Sequence, residues 1–585
     1  MSDERGLERG LGRVEFGVVA ALWAAFVCAY VTINLKSIAT LSVPGVDDIL
    51  RLQQVRDFLA GQDWFDHLQH RINPPEGGML HWTRFVDVPY AALITLLRPF
   101  VGETNAEIAA GVIVPMLVMG LIMMLAASIA SKLVGRKWAL LTAVSVPMAG
   151  LIYPQIMPLR FDHHGWQIVC AMVVLWVLMD ERRALRSGVI AGAAGAMWLN
   201  ISLEGLPMMA CVLGVLGLRW LMDARALTRL QAIVWTFTGV SLVLETATFA
   251  FAWTGVVCDR LSSPYYLALA IACGGALAGG MSVFVRDWRA RVGLGAAISV
   301  LAIAAFALRA PQCAAGPFSD LEPLVKTYWL DNIGESLPLW RLGAGAVIAH
   351  GGFALVGVIG AFWAWRSAPD HEARMRWMSV ALLTGFSSLL MLMVTRTGGV
   401  AQAYASVGAV FFASVVVQRV SQSKYMLKRV FGASLAVLAA TPALYIGALR
   451  MDQKPYSRNY SCEEKVSLMG ALPTGIVFAP LDFSPEIIAR TSHSVIATGH
   501  HRNHVAMNDV IAAFTGDSNT AHANVLAHGA SYVALCATQA EAHRFQEGAP
   551  KGFAAQLMAG QTPSWLTPVA LGAERSPLLL YRVQQ

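Results

Sequence analysis

Charge is what this sequence has least of. Only 14% of its 585 residues are Asp, Glu, Lys or Arg, 56% are hydrophobic, and the mean hydropathy is +0.54. Soluble globular chains carry about 25% charged residues. A chain this long and this poor in charge cannot cover a water-facing surface, which excludes a soluble enzyme and a disordered or fibrous protein. Its eight cysteines include no Cys-X-X-Cys pair, so redox catalysis and a cysteine zinc site have no support. Internal repeats and low-complexity tracts are missing. No small-residue cleavage site follows the first apolar run, which reads as a retained helix and not a cleaved signal peptide. The short alternating segments of a transmembrane barrel are missing too; apolar runs of about 20 residues recur instead. The 51 glycines and 17 tryptophans match the small-residue and aromatic-belt usage of membrane helices. These features define a polytopic α-helical membrane protein.

Thirteen apolar spans are predicted, near 15–35, 106–128, 138–158, 166–180, 188–201, 203–221, 230–253, 264–284, 292–309, 341–365, 377–395, 401–419 and 428–448. The net charge of +7 and the pI near 9.0 invite a nucleic-acid partner, but the distribution of charge refuses one. Half of the 44 Lys and Arg residues fall in seven short segments, from Arg5–Arg13 to Arg419–Arg429, in alternate connections between spans. The positive-inside rule makes that side cytoplasmic. The N-terminus is then cytoplasmic, and an odd number of spans puts the C-terminus outside, across the cytoplasmic (inner) membrane. Residues 1–450 form the membrane domain, with a first outer loop at 36–105 and a later one at 310–340. Residues 451–585 form a periplasmic domain. Its strand-like runs, Gly475-Ile-Val-Phe-Ala and Tyr532-Val-Ala-Leu, alternate with helical stretches and predict a small α/β unit. Val88–Val101 is apolar but too short to span, and is expected along the interface. Cys258, Cys313, Cys462 and Cys536 face outside, where the spacing permits Cys258–Cys313 and Cys462–Cys536 bonds without requiring them.

Ionisable residues close to a membrane are costly, so their positions are informative. They gather on the outer side. The first loop opens with Asp47 and Asp48 and continues through Arg51, Arg56 and Asp57; the next outer turn reads Leu159-Arg160-Phe161-Asp162-His163-His164-Gly165-Trp166. Carboxylates and imidazole around one pocket suit a divalent ion such as Mg²⁺ or Mn²⁺. An Asp-Asp pair alone is commonly no more than a solvated loop start; the second acidic and histidine cluster at an equally short outer turn argues for a site. Glu335 precedes span ten, and Arg396 ends span eleven. An Arg at a membrane boundary often only snorkels to headgroups; its functional reading is a planar donor to phosphate oxygens. Glu204, near a membrane end after Asn200, reads as structural. His500-His501-X-X-His504 is a conceivable second metal site, although a loop contacting ligand or a plain surface loop explains it more simply.

Four elements in order resemble the catalytic subunit of oligosaccharyltransferase, a GT-C membrane glycosyltransferase with thirteen spans and an extracytoplasmic C-terminal domain. Asp47 with Arg56 and Gly61 resembles its first acidic motif. Phe161-Asp162-His163-His164 resembles the Asp-His-His form of its second, and Ile333-Gly-Glu335 sits where that family has a Thr-Ile-X-Glu loop. Arg396 followed by Tyr404 resembles the Arg that holds donor phosphates. The resemblance covers essentially the whole chain. It implies Asp47, Asp162 and His164 as metal ligands, with Glu335 reaching the same site. It further implies Arg396, with Arg160, on the phosphates of a polyprenyl-linked sugar donor, and Asp48, His163, Arg56 and His501 as secondary candidates. The reaction implied is transfer of a sugar or glycan from a polyprenyl phosphate or diphosphate to a glycan, lipid or protein acceptor outside the membrane. One motif departs: where that family has Trp-Trp-Asp-X-Gly, this chain reads Phe478-Ala-Pro-Leu-Asp482-Phe-Ser-Pro485. The missing indoles imply that Asn-X-Ser/Thr sequons are not the acceptor. Protein glycan transfer with another mode of acceptor recognition, and a lipid-linked glycan transporter or flippase, are the competing readings. A transporter would place ionisable groups near the bilayer midplane and often repeat a half.

Overall fold

A computed structural model describes residues 11–452, 462–571 and 576–584. Arg5 and Arg9 lie outside the described residues. Each of the thirteen predicted spans contains a helix. Among the described residues, eight helices are long and apolar enough to cross a membrane, and a ninth span arises if Met426–Ala439 and Ala443–Met451, bent by 79°, count as one. The apolar helices His164–Leu178 and Ser263–Ala278 are shorter. The third predicted span is helical over Arg136–Ser145, breaks, and resumes as Tyr153–Ile156. Asp87–Val101 is a 15-residue helix with Tyr90, Ala91 and Ile94 buried and Val88, Leu96 and Phe100 exposed.

Small residues set the closest helix approach. A Cβ on Gly360 would lie 1.9 Å from the Gly408 carbonyl oxygen, so only glycine lets Gly352–Arg366 meet Gly398–Ser421 at that distance. This is how membrane helices pack when lipid gives no hydrophobic drive between them.

The chain divides into two compact units. One comprises the described chain up to Ser42, Thr83–Pro317 and 337–452; the other comprises Val43–Trp82, Phe318–Ser336 and the C-terminal segment. In the second unit, β1 (Leu68–Gln69) and β2 (Gly78–Met79) form an antiparallel hairpin. The five-stranded sheet contains β3 (Ile476–Phe478), β4 (Ser494–Val495), β5 (Tyr532–Cys536), β6 (Leu566–Pro568) and β7 (Leu578–Val583), in the order β4-β3-β5-β7-β6. β3 is parallel to β4 and β5, while β7 runs antiparallel to β5 and β6.

All five residues of β5 are buried, because both sheet faces are covered. Side chains alternate across a strand, and so Val533 and Leu535 join one core while Tyr532, Ala534 and Cys536 join another. Leu321, Val325 and Trp329 complete the first core, and Leu50, Ile72, Leu80 and Trp82 the second. The segments Val43–Trp82 and Phe318–Ser336 thus supply walls that the C-terminal segment lacks. Asn73 and Val495 extend this contact through backbone bonds, Asn73 N–H to the Val495 carbonyl and Val495 N–H to the Arg71 carbonyl, both 2.8 Å. Cys258–Cys313 and Cys462–Cys536 are both disulfides.

Candidate functional site

The first unit carries its densest polar cluster at the turn before His164–Leu178. Leu159 adopts φ 66°, a left-handed conformation costly for a bulky residue, and its N–H donates to the Gly111 carbonyl at 2.7 Å. Gly111 is required there: an added Cβ would lie 2.8 Å from Cζ of Phe161. Phe161 is buried against Tyr90, whose hydroxyl donates to the Arg160 carbonyl at 2.7 Å. The turn is thereby fixed from three sides, and it aims Asp162, His163 and His164 inward, all buried.

Asp162 organises the cluster. Its Oδ1 is 2.6 Å from His163 Nδ1 and also accepts the His163 N–H at 2.7 Å; its Oδ2 is 3.2 Å from His164 Nε2 and 3.3 Å from Arg160 Nη2. Burial opposes ionisation of Asp162, yet the charges of His163, His164 and Arg160 hold its carboxyl well below the usual carboxylate range. One ligand atom from each of Asp162, His163 and His164 lies within 4.8 Å of the others. A carboxylate with two imidazoles is a fitting donor set for a divalent cation.

Glu204, read from sequence as structural, belongs to this cluster. Its Oε1 is 2.5 Å from Arg396 Nη1, and its Oε2 accepts from Gln167 Nε2 at 3.2 Å and lies 3.8 Å from His164 Nδ1. Gln167 in turn accepts from the Trp198 indole at 3.1 Å, and Gln155 Nε2 donates to the Arg396 carbonyl at 3.3 Å. These side chains line one small recess with Ile168, Met208, Thr397 and Val400. The signal for Glu204 was present in the sequence, since a carboxylate between two apolar spans is a functional candidate by default. Nothing in the sequence marked Gln155, Gln167 or Trp198. Tyr404 is buried, and its hydroxyl donates to the Ala171 carbonyl at 2.9 Å.

The remaining predicted residues belong to the second unit. Asp47 and Asp48 stand in the first turn of Val46–Leu59, where carboxylates favour the helix N-terminus; Asp48 is fully buried. Arg51 on the same helix is also fully buried, its guanidinium 4.7 Å from the Trp82 ring centroid. Arg56 donates to the Ala489 carbonyl at 2.8 Å. Glu335 lies in a short 3₁₀ turn, Gly334–Ser336. His501 begins a 3₁₀ turn and packs with His81 and His500. His504 points elsewhere, its Nδ1 3.0 Å from Glu322.

At the end of β3, Glu541 accepts the N–H groups of Leu481 and Asp482 at 3.1 and 2.7 Å, and Arg544 pairs with Asp482 at 3.1 Å. Burial, with the charge of Asp482 added, pushes Glu541 up to about 8.

No family model matches the chain, and no curated protein does. Solved structures do, and they share the fold of this chain. The archaeal oligosaccharyltransferase AglB from Archaeoglobus fulgidus, in complex with an inhibitory peptide and a dolichol-phosphate, superposes with TM-score 0.67 at 15% identity, over 87% of this chain and 68% of that one. The same enzyme tethered to an acceptor peptide containing an NVT sequon gives TM-score 0.65 at 15% identity, over 93% and 70% of the two chains. Its complex with Zn and sulfate gives TM-score 0.58 at 16% identity, over 84% and 64%.

Proposed function

We propose that this protein transfers a sugar or glycan from a polyprenyl-phosphate or polyprenyl-diphosphate carrier to an acceptor on the outer side of the cytoplasmic membrane. The observation that carries the reading is the buried Asp162–His163–His164 cluster next to the Glu204–Arg396 pair, on a fold shared with an oligosaccharyltransferase solved with a dolichol-phosphate. Asp162, His163 and His164 would hold a divalent cation. Two imidazoles suit Mn²⁺ or Zn²⁺ better than Mg²⁺. When bound, the ion neutralises charge on the phosphate as the glycosidic bond breaks. Arg396 and Arg160 supply planar donors to phosphate oxygens. Asp162 keeps the two imidazoles oriented and charge-balanced. Asp47, as a ligand, and Glu335, as the carboxylate that orients or deprotonates the acceptor, take the roles that the sequence resemblance implies.

Two further features support this reading. An apolar groove of about 920 Å³ runs among Leu206–Met222, Gly352–Arg366 and His371–Met393, suited to an isoprenoid tail. The two disulfides fit an oxidising outer compartment. The acceptor is a glycan, a lipid or a protein site other than the Asn-X-Ser/Thr sequon, because Leu481-Asp482-Phe483 offers no indole donor and Asp482 is already engaged by Arg544.

The deciding experiment supplies purified protein with a polyprenyl-linked donor, a divalent ion, and a panel of lipid, glycan and peptide acceptors. Metal-dependent transfer supports the enzyme. Carrier movement across vesicles without release of the sugar points to a transporter. Glycopeptide that disappears on Asn→Gln in a sequon peptide overturns the acceptor assignment.

A further inference from the structure

The second unit contains three imidazoles that the proposed transfer does not use. His81 follows β2, where the Leu80 N–H donates to the His67 carbonyl at 2.9 Å and buried Leu80 and Trp82 pin the chain on either side. His500 and His501 lie 419 and 420 residues further on, in the turn that leads into His504–Thr515. That turn is held by the His500 N–H donating to the Thr498 carbonyl at 2.7 Å and by Asn503 Nδ2 donating to the Ile496 carbonyl at 3.2 Å. Gly499 permits it, since a Cβ there would lie 2.8 Å from the Trp329 indole nitrogen.

His81 Nδ1 lies 2.9 Å from His500 Nε2, and the rings of His500 and His501 stack at 5.2 Å and 19°. One ring nitrogen from each of the three falls within 4.8 Å of the others. Trp82 stands edge-on to His500 and Phe318 edge-on to His501, which walls the cluster with apolar surface.

We propose that His81, His500 and His501 form a second, separate metal site that takes a borderline transition ion of the Zn²⁺ class. Three neutral imidazoles are a donor set for Zn²⁺ and not for Mg²⁺ or Ca²⁺, which prefer oxygen. At Zn–N distances of about 2.0–2.1 Å, tetrahedral geometry separates neighbouring nitrogens by about 3.4 Å. The three observed ring nitrogens, within 4.8 Å of one another, lie close to that separation. The ion would clip the first-loop hairpin to the 496–504 turn and leave a fourth position open to water or an anionic oxygen.

The test uses the full chain in detergent and metal alone, so it is independent of glycan transfer. An Asp162→Asn/His163→Gln/His164→Gln background removes the three ligands that the first cluster supplies. This background should still retain one Zn²⁺ per chain after dialysis at micromolar free Zn²⁺, and Co²⁺ in its place should show the visible d–d bands of an imidazole-bound tetrahedral centre. Adding either His81→Gln or His501→Ala should weaken that binding at least tenfold, while His504→Ala, whose imidazole faces Glu322, should leave it unchanged. Two variants on different segments keep the test decisive if one fails to fold. A background protein that retains no Zn²⁺, or Zn²⁺ binding that survives both His81→Gln and His501→Ala at unchanged affinity, overturns the site.

Discussion

The two histidine clusters share a side chain and differ in its company. In the first unit, His163 and His164 share Asp162, with Arg160 on the same carboxylate and Glu204 beyond. In the second unit, the imidazoles of His81, His500 and His501 meet one another and aromatic rings. A buried charge survives only when paired, so the first cluster is an ion network with or without a guest. In the second, the contacts described are between imidazoles and aromatic rings. Identical residues thus serve electrostatics in one place and, as we propose, soft coordination in the other.

The sharpest way to break this contrast is to remove the charge. Asp162→Asn keeps the shape and should lower transfer more than about a hundredfold, a barrier increase of several kcal/mol, with the protein still expressed and folded. Asp47→Asn should do the same if Asp47 is a ligand. Full activity in both, measured in a membrane assay, would reduce the first cluster to a structural ion network.

The next effect separates the units by stability. Cys462→Ser/Cys536→Ser opens a bond in the second unit only, and should cost about 2–4 kcal/mol there while the melting of the first unit is unmoved. Limited proteolysis with mass mapping checks which unit opens; equal loss in both would merge them energetically. Gly111→Ala acts on the other side. Its Cβ meets Phe161 at 2.8 Å, and overpacking of this kind costs about 1–3 kcal/mol. Lower thermal stability together with reduced metal affinity at Asp162 is expected, and an unchanged affinity would show that the turn does not depend on this contact.

The remaining effect is a pH slope in the second unit. Because burial raises Glu541 to about 8, its neutral form is favoured by the fold. The stability it contributes is full below the ordinary glutamate range and is lost as pH rises towards about 8. Denaturation of the second unit followed from pH 5 to 9 should show that decline in the wild type and a flatter profile in Glu541→Gln. Matching profiles would mean that the two backbone donors hold Glu541 ionised throughout.

Much of this was legible in the sequence. Long apolar runs gave the helical membrane class, and strand-like runs at 475–479 and 532–535 located two central strands, because hydrophobicity and period are local properties. Asp162, His163 and His164 are adjacent in the chain, so their chemistry could be seen without a fold. His81 could not be joined to His500, because that contact depends on a sheet edge built from segments more than 400 residues apart. Glu204 was missed for a related reason. One carboxylate between two apolar spans is a signal without a partner in the sequence, and only the fold gives it Arg396, Gln167 and His164. Hydropathy does not register the breaks that divide a span, such as the one after Arg136–Ser145.

The Glu204–Arg396 contact has a consequence for any anion approaching this recess. Arg396 is already matched by a carboxylate 2.5 Å away. A newcomer does not find a bare cation; it must exchange with an anion that the fold holds in place. A singly charged ion offers Arg396 little that Glu204 does not already supply, and gains little by the exchange. A multiply charged oxyanion offers more. The built-in carboxylate therefore sets a threshold, keeping the guanidinium quiet towards common small anions and responsive to those with concentrated charge.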